Sequence, residues 1–441
     1  MPKKYFIITY GCQMNVHESE KLAGVLEKNG YEQAENKTDA DIIVLNTCCI
    51  RETAETKVLG NLGIVKKLKE NKPSLKVVVC GCMTQQQGAA EKLKKRCPFI
   101  NAIFGTHNVH LFEDYLAKIN ENKNVIDVWE KETEIQEKVP VKRSSGLNAW
   151  VNIMYGCNNF CSYCIVPYVR GRERSRDPQI ILSEIEELLS QGYKEITLLG
   201  QNVNSYGNDF SDKSYDFAKL LEKAAQLPYK YRLGFMTSHP KDFSEDLVKV
   251  IANNDNVSKF VHLPVQAGND RILDLMNRKY TAAQYLNKIE MLRKYIPNAG
   301  LSTDLMVGFP SETEDEFEDS IKLLEKVGFN NVFTFIYSRR SGTKADLMEN
   351  QVDYKVKRDR IKRLISAQFD IGKKLAAECI GKEYEVLCDS CNGGKASGKT
   401  ECGKSITFEC GDRNLYGQFV KVIAVSSKNT NLYGRLSEDK H

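Results

Sequence analysis

Strand-length runs of β-branched residues alternate with helix-length amphipathic stretches through most of this chain, and that alternation restricts it to an α/β fold. The first series has strand-like runs at residues 5–9, 42–45, 77–79 and 102–104. Helical patterns lie between them at 16–28, stopped by Gly30, and at 89–95. This pattern predicts a parallel sheet covered by helices over residues 1–130. Residues 130–145 are charged, carry Pro140 and lack apolar periodicity, so they read as a linker. A second series follows, with strands expected at 150–154, 196–199, 232–236, 260–263, 302–306 and 332–336. Asp177-Pro178 supplies a cap and an N1 proline for one of its helices, and Ser311 with Glu314 reads as a capping box for another. Six βα units predict a partial (β/α)6 barrel over 143–373, its site at the C-terminal ends of the strands. From Gly381 the pattern becomes short strands at 384–387, 405–409 and 418–424. That makes 376–441 a small all-β domain.

A chain of 441 residues is long enough for two or three cores. No apolar run approaches the ~20 residues needed to cross a bilayer. The opening Met1-Pro2-Lys3-Lys4-Tyr5-Phe6 lacks the pattern of a signal peptide, so a cytoplasmic protein without a membrane partner is expected. In a reducing compartment its fourteen cysteines are better read as metal ligands or redox groups than as disulfides. The net charge of +5 permits a nucleic-acid partner without requiring one. Two basic stretches stand out: residues 355–374, with eight Lys or Arg against Asp359 and Asp370, and the run Arg170, Arg172, Arg174 and Arg176. A basic helix of the first kind is most simply a solvated face.

Cys157-Asn-Asn-Phe-Cys161-Ser-Tyr-Cys164 follows directly on the first barrel strand. Three thiolates on one short loop can hold three irons of a four-iron cluster and leave the fourth open to a ligand. A zinc site completed by a histidine is the alternative, but the nearest downstream histidine, His239, is two strands away. Cys12, Cys48 and Cys82 each sit just past one of the first three strands. The carboxyl ends of parallel strands converge on one crevice, so these remote thiols meet there as a second three-cysteine site. Spacing alone leaves Cys49 and Cys80 as competitors for it.

The C-x3-C-x2-C spacing with Tyr163 before its last cysteine resembles the radical S-adenosylmethionine superfamily. Gly11-Cys12-Gln13-Met14-Asn15, Asn46-Thr47-Cys48-Cys49-Ile50-Arg51-Glu52-Thr53-Ala54-Glu55 and Gly81-Cys82-Met83-Thr84-Gln85 are similar to the amino-terminal domain of methylthiotransferases. The likeness continues through Leu199-Gly200-Gln201-Asn202-Val203-Asn204, Thr237-Ser238-His239-Pro240, His262-Leu263-Pro264-Val265-Gln266 and Asp304-Leu305-Met306-Val307-Gly308 to a TRAM-like RNA-binding β-domain.

The resemblance implies two 4Fe–4S clusters: a radical cluster on Cys157, Cys161 and Cys164, and an auxiliary cluster on Cys12, Cys48 and Cys82. It implies S-adenosylmethionine as cofactor, with Tyr163 near its adenine and Gln201, Asn202, Gln266 and Asp304 as candidate contacts. The chemistry would be borne by the clusters, and His239 and His262 are more simply orienting or core groups than catalysts. Within the family, the words around Cys12 and Cys48 resemble the branch that converts N6-isopentenyladenosine at position 37 of tRNA, in the anticodon loop, to its 2-methylthio derivative. Arg170, Arg172, Arg174 and Arg176, opening at the active end of the barrel, are then expected to contact RNA phosphates. An electron donor such as flavodoxin or ferredoxin, a sulfur donor and a monomeric state complete the expectation. The rivals are the same chemistry on threonylcarbamoyl-adenosine or on a ribosomal protein, and a non-catalytic iron–sulfur RNA-binding electron carrier. Three-cysteine sites argue against the carrier, which would use four. Cys388, Cys391, Cys402 and Cys410 can be read as a zinc site, but the last two lack CxxC spacing and incidental thiols are the simpler expectation.

Overall fold

The computed structural model describes residues 2–49, 52–137, 139–143 and 146–438. Ile50 and Arg51 of the word after Cys48 lie outside the described residues, as does Met1.

The amino-terminal unit is a six-stranded, all-parallel sheet of β1 (Lys3–Thr9), β2 (Tyr31–Gln33), β3 (Ile42–Thr47), β4 (Lys76–Gly81), β5 (Ala102–Phe104) and β6 (Val125–Asp127), ordered β2-β1-β3-β4-β5-β6. Every residue of β3 is buried, the apolar run Ile42–Leu45 lying between two helical layers and the polar Asn46 and Thr47 ending the strand. The alternation of the pleat decides which layer each residue meets. Ile42, Val44 and Val78 pack with Leu22, Leu26, Tyr115 and Leu116 on one face. Ile43, Leu45, Val77 and Val79 pack with Val58, Leu62 and Leu93 on the other. The strand order reverses between β1 and β3, which is where a crevice opens at the carboxyl ends of an open parallel sheet.

The second unit carries β7 (Asn148–Asn152), a short antiparallel ribbon of β8 (Met154–Tyr155) and β9 (Arg174–Ser175), then β10 (Glu195–Leu199), β11 (Arg232–Met236), β12 (Phe260–His262), β13 (Gly300–Val307) and β14 (Asn331–Ile336). The parallel sheets β7-β10-β11 and β12-β13-β14 meet at one parallel bridge, Leu233 to Val257. The result is an open six-stranded barrel around one apolar core. Asp177 caps helix Pro178–Ser190 as expected, accepting from the backbone N–H of Gln179 and Ile180. The second capping box is displaced from its expected position. Thr313, not Ser311, caps helix Glu314–Val327, with Glu316 as its reciprocal partner, because Ser311 has a φ of +64° and turns the chain one step earlier.

The basic stretch is the helix Tyr354–Ala377, and it is more than a solvated face. Arg360 is buried against Glu312 at 2.8 Å, and Lys357 donates to the Tyr337 carbonyl at 3.2 Å. The helix leads into a closed five-stranded barrel of β15 (Glu383–Asn392), β16 (Lys395–Thr400), β17 (Ser405–Glu409), β18 (Phe419–Lys428) and β19 (Asn431–Leu436). That small barrel docks on the N-terminal ends of the larger barrel's strands. Arg232, first residue of β11, donates to the carbonyl of Lys399 at 2.8 Å, and the Lys259 N–H, just before β12, to that of Glu401 at 2.8 Å. Gly300 opens β13 so close to Cys402 that a Cβ would lie 2.0 Å from its carbonyl oxygen. Among the described residues, no helix is long and apolar enough to cross a membrane.

Candidate functional site

The loop from β8 holds Cys157, Cys161 and Cys164 by backbone geometry that few side chains permit. Gly156 has a φ of +76°, and a Cβ there would lie 1.9 Å from the Arg172 carbonyl oxygen. Cys157 N–H donates to the Gly171 carbonyl at 3.1 Å, and Cys164 N–H to that of Cys161 at 2.9 Å. Ser162 donates through its hydroxyl to Leu275 at 2.7 Å, and Asn277 donates to the carbonyls of Asn159 and Phe160 at 3.2 and 3.0 Å. The three thiols lie near enough to interact electrostatically, and burial pushes Cys157 up to about 11 and Cys164 further. Thiols of that kind ionise when a metal takes the proton's place.

Arg278 lies beside them, a residue that spacing gave no reason to single out. It is 4% exposed, donates to Cys161 Sγ at 3.4 Å, to the Pro264 carbonyl at 2.6 Å and to Tyr280 Oη at 2.9 Å. Burial opposes its charge, and Tyr280, Tyr163 and Cys161 outweigh that and hold it protonated. A fixed cation facing a thiolate suits a site that must bind an anionic cluster.

Cys12, Cys48 and Cys82 stand at the ends of β1, β3 and β4, the first two flanking the point where strand order reverses. Gly11 approaches so closely that a Cβ there would lie 2.6 Å from Cys48 Sγ. Cys80 faces the other way, into the sheet core with Val78 and Phe104, and burial raises its pKa strongly. Cys49 stays a neighbour: it is fully buried and hydrogen-bonds Cys82, which lowers the Cys82 thiol and raises its own. Among the described residues no three His, Cys, Asp or Glu close on a single-ion site. A four-iron cluster spreads its thiolates over separate irons, and two sets of three thiols with a buried arginine beside each fit that larger group.

The arginine run divides. Arg170 is buried, donates to Asn15 Oδ1 at 2.6 Å and lies against Cys82 and Cys12. Arg176 is buried between Glu137 at 2.6 Å and Glu184 at 2.8 Å. Both guanidiniums are held by protein groups below the surface, so the expected phosphate run narrows to Arg172 and Arg174. Arg172 is exposed, stacked 4.5 Å over Phe160, and Arg174 is partly buried and donates to the Thr133 and Arg170 carbonyls.

The strand-end polar residues gather around the barrel mouth. Tyr163 packs on the cluster of Met276, Phe309 and Tyr337. Gln201 donates to Met14 of the amino-terminal unit, and Asn202 donates to Asp242 at 2.7 Å. Gln266 adopts a φ of +74° and donates to Asp304 at 3.4 Å. His262 lies 3.6 Å from Asp304 and 2.8 Å from the Ser302 hydroxyl, and burial, opposed by Asp304, lowers its pKa. His239 is buried with its ring edge-on to Tyr280 at 5.7 Å.

Two family models match the chain: the Radical SAM superfamily over residues 151–324 and Uncharacterized protein family UPF0004 over residues 4–105. A curated relative from Clostridium perfringens (strain ATCC 13124), named tRNA-2-methylthio-N(6)-dimethylallyladenosine synthase, is 50% identical over 446 residues, covering 99% of this chain and 99% of its own. Relatives of the same name from Clostridium botulinum (strain Eklund 17B) and Caldicellulosiruptor saccharolyticus are each 49% identical, covering 99% and 98% of this chain and 96% and 92% of their own. The chain belongs to that synthase family. It is a radical S-adenosylmethionine enzyme. Solved structures support the synthase's fold alone. The radical S-adenosylmethionine methyltransferase TsrM from Kitasatospora setae aligns at TM-score 0.57 and 14% identity, over 79% of this chain and 77% of its own. The cobalamin-dependent S-adenosylmethionine radical enzyme OxsB aligns at TM-score 0.52 and 11% identity, over 82% and 56%.

Proposed function

We infer that this protein adds a methylthio group to C2 of N6-isopentenyladenosine at position 37 of tRNA. The observation that carries the reading is the half-identity, over nearly the whole chain, to synthases named for that product. The adenine C2–H has no useful acidity, so no side-chain base can open the reaction. Two bound 4Fe–4S clusters with S-adenosylmethionine would supply the radical chemistry and the sulfur site.

The chain's own groups then have separable work. Residues 1–130 carry the auxiliary site, with Cys12, Cys48 and Cys82 as ligands and Arg170 as the buried cation beside them. Residues 143–373 carry the radical site on Cys157, Cys161 and Cys164, with Arg278 orienting Cys161. Tyr163, Gln201, Asn202, Gln266 and Asp304, gathered at the barrel mouth, are the residues that would hold S-adenosylmethionine. Residues 376–441 hold tRNA, with Arg172 and Arg174 nearer the anticodon loop. The small barrel docks at the strand beginnings, whereas the cysteines lie at the strand ends. An RNA touching both therefore runs along the outside of the larger barrel, over roughly 20 Å of strand length. Exposed Tyr416 and Tyr433 give the small barrel faces on which bases or riboses can stack. The setting is cytoplasmic, the protein acts as a monomer, and a flavodoxin- or ferredoxin-like donor and a sulfur donor serve it.

The test is turnover of anaerobically reconstituted protein on two tRNAs. Isopentenylated tRNA should give 5′-deoxyadenosine and a nucleoside heavier by one methylthio group. Unprenylated tRNA should react poorly, because each unburied CH2 forfeits about 0.8 kcal/mol of binding. Equal turnover of both tRNAs would refute the substrate assignment.

A further inference from the structure

We propose that residues 130–137 are an acidic strap over the RNA-facing arginines, in which Glu132 takes the part of an RNA phosphate until RNA displaces it. The inference rests on the reading that Arg172 and Arg174 face tRNA, and adds what the RNA must expel to reach them.

The strap meets the arginines through particular atoms. Glu132 Oε1 accepts from the Arg172 N–H at 3.1 Å. The same carboxylate rests on Gly171, where φ is +77° and a Cβ would lie 2.7 Å from Glu132 Cδ and Oε2. Thr133 gives its carbonyl to the Arg174 guanidinium. Burial opposes the charge on Glu132, but its own N–H, the Arg172 N–H and the Arg174 charge hold the carboxyl below the usual carboxylate range. Burial in turn draws Arg174 down, and Glu132 is the foremost charge supporting it. Arg174 Nε is nonetheless buried with no partner among the described residues. A neutral carbonyl, and a carboxylate that bonds the neighbouring backbone, leave this guanidinium incompletely satisfied. A phosphate offers the charge and the paired acceptors it lacks.

The segment can move without detaching. Gln85 donates to the Trp129 carbonyl at 2.7 Å at one end, and Arg176 bonds Glu137 at 2.6 Å at the other. Between them, among the described residues, 130–136 make no backbone–backbone hydrogen bond. A cavity of about 850 Å³ lies between residues 132–137 and residues 174–177. Few backbone bonds and loose packing belong to the least stable parts of a fold. The strap also lies beside the radical site: Arg172 stacks 4.5 Å over Phe160, and the Gly171 carbonyl accepts from the Cys157 N–H at 3.1 Å.

Phosphate charge alone then binds weakly, because any RNA must first expel a carboxylate from the same arginines. An RNA whose base also enters the barrel mouth gains contacts that offset this cost. One without such a base does not.

The test is filter binding of an isopentenylated anticodon stem-loop to full-length reconstituted protein. Glu132→Gln keeps an acceptor for the Arg172 N–H and removes the charge, and Glu132→Ala removes the whole carboxylate. Each should lower the Kd about fivefold. Glu134→Gln deletes the same charge from an exposed side chain of the same segment, and its Kd should stay within about twofold of wild type. In an Arg174→Gln background, Glu132→Gln should likewise change the Kd by less than about twofold. Four results would overturn the strap while leaving the proposed function standing: a folded Glu132 variant that bound no tighter, equal tightening by Glu134→Gln, the full gain in the absence of Arg174, or loss of folding in both Glu132 variants, which marks a merely structural role. Wild-type protein that did not bind the stem-loop would overturn both.

Discussion

Arg170 reaches from the barrel into the amino-terminal unit and donates to Asn15 Oδ1, at the start of the helix Gln13–Lys28, at 2.6 Å, a contact between residues 155 positions apart. Asn15 in turn donates to the carbonyls of Tyr10 and Thr47, the residues that lead into Cys12 and Cys48. One guanidinium, six residues after Cys164, therefore fixes the backbone beside both remote cysteines. The two three-cysteine sites belong to one mechanical unit.

Replacing Arg170 with Met should show this. The variant leaves Asn15 Oδ1 without its buried donor and removes one of the two cations that face Glu18, Lys21 remaining at 3.2 Å, and a loss of roughly 3 kcal/mol in urea unfolding is expected. Iron should fall toward that of a single cluster on anaerobic reconstitution. A variant with full iron and wild-type stability would contradict the coupling.

Cysteine replacements separate ligands from core. Cys80→Ala should keep near-normal iron, because that thiol faces Val78 and Phe104 rather than the crevice. Cys82→Ala should lose the auxiliary iron and retain the radical cluster. Cys49→Ala is expected to keep its iron, although its sulfur touches Cys82. Iron counts with electron paramagnetic resonance read all three.

Glu316 gives a pH dependence. The Arg271 guanidinium bonded to it holds its carboxyl at about 2, against partial burial and with help from the Thr313 N–H. The unfolded chain therefore binds more protons than the folded one below pH 4.5, and this contribution is lost as pH falls toward 2. Arg271 is half exposed, so the pair is worth only about 1 kcal/mol. Glu316→Gln should cost that much near neutrality and progressively less in acid, as read from urea midpoints. A gap that widened in acid would invert the sign.

Much of the architecture was legible because hydrophobic period is a local signal. The strands at 102–104, 232–236 and 405–409 lie where short apolar runs put them. Short, half-exposed strands were missed: β2, with only Tyr31 buried, β6, and the barrel strands β16 and β19, whose Gly, Ser and Lys content conceals their pairing. Convergence of Cys12, Cys48 and Cys82 could be read because topology carries strand ends together. What Arg170 and Arg176 do could not, since burial depends on which acidic residues the rest of the chain brings: Glu18 from the first helix, Glu137 from the linker and Glu184 from the barrel. Arg278 was silent for the same reason. Its partners Cys161, Pro264 and Tyr280 come from separate parts of the barrel.

The thiols of the small barrel illustrate the converse. A β-bulge between Cys388 and Ser390 turns Cys391 inward with Cys388, and Cys391 Sγ lies 3.7 Å from Cys410 Sγ. Cys402 is instead hydrogen-bonded to Thr400 at 3.2 Å. Four thiols on two separate sites predict that purified protein holds no stoichiometric zinc and that EDTA leaves its melting temperature unchanged. One zinc per chain, lost together with stability on chelation, would contradict this.

The most direct measurement of the central claim is the mass of nucleosides from digested tRNA of a strain lacking this gene, with and without the gene restored. The deletion strain should accumulate N6-isopentenyladenosine. Restoring the wild-type gene should convert it to a nucleoside heavier by one methylthio group, and restoring a Cys82→Ala or Cys161→Ala gene should not. An unchanged isopentenyladenosine pool, or a new methylthio group on threonylcarbamoyl-adenosine or on a ribosomal protein instead, would contradict the account.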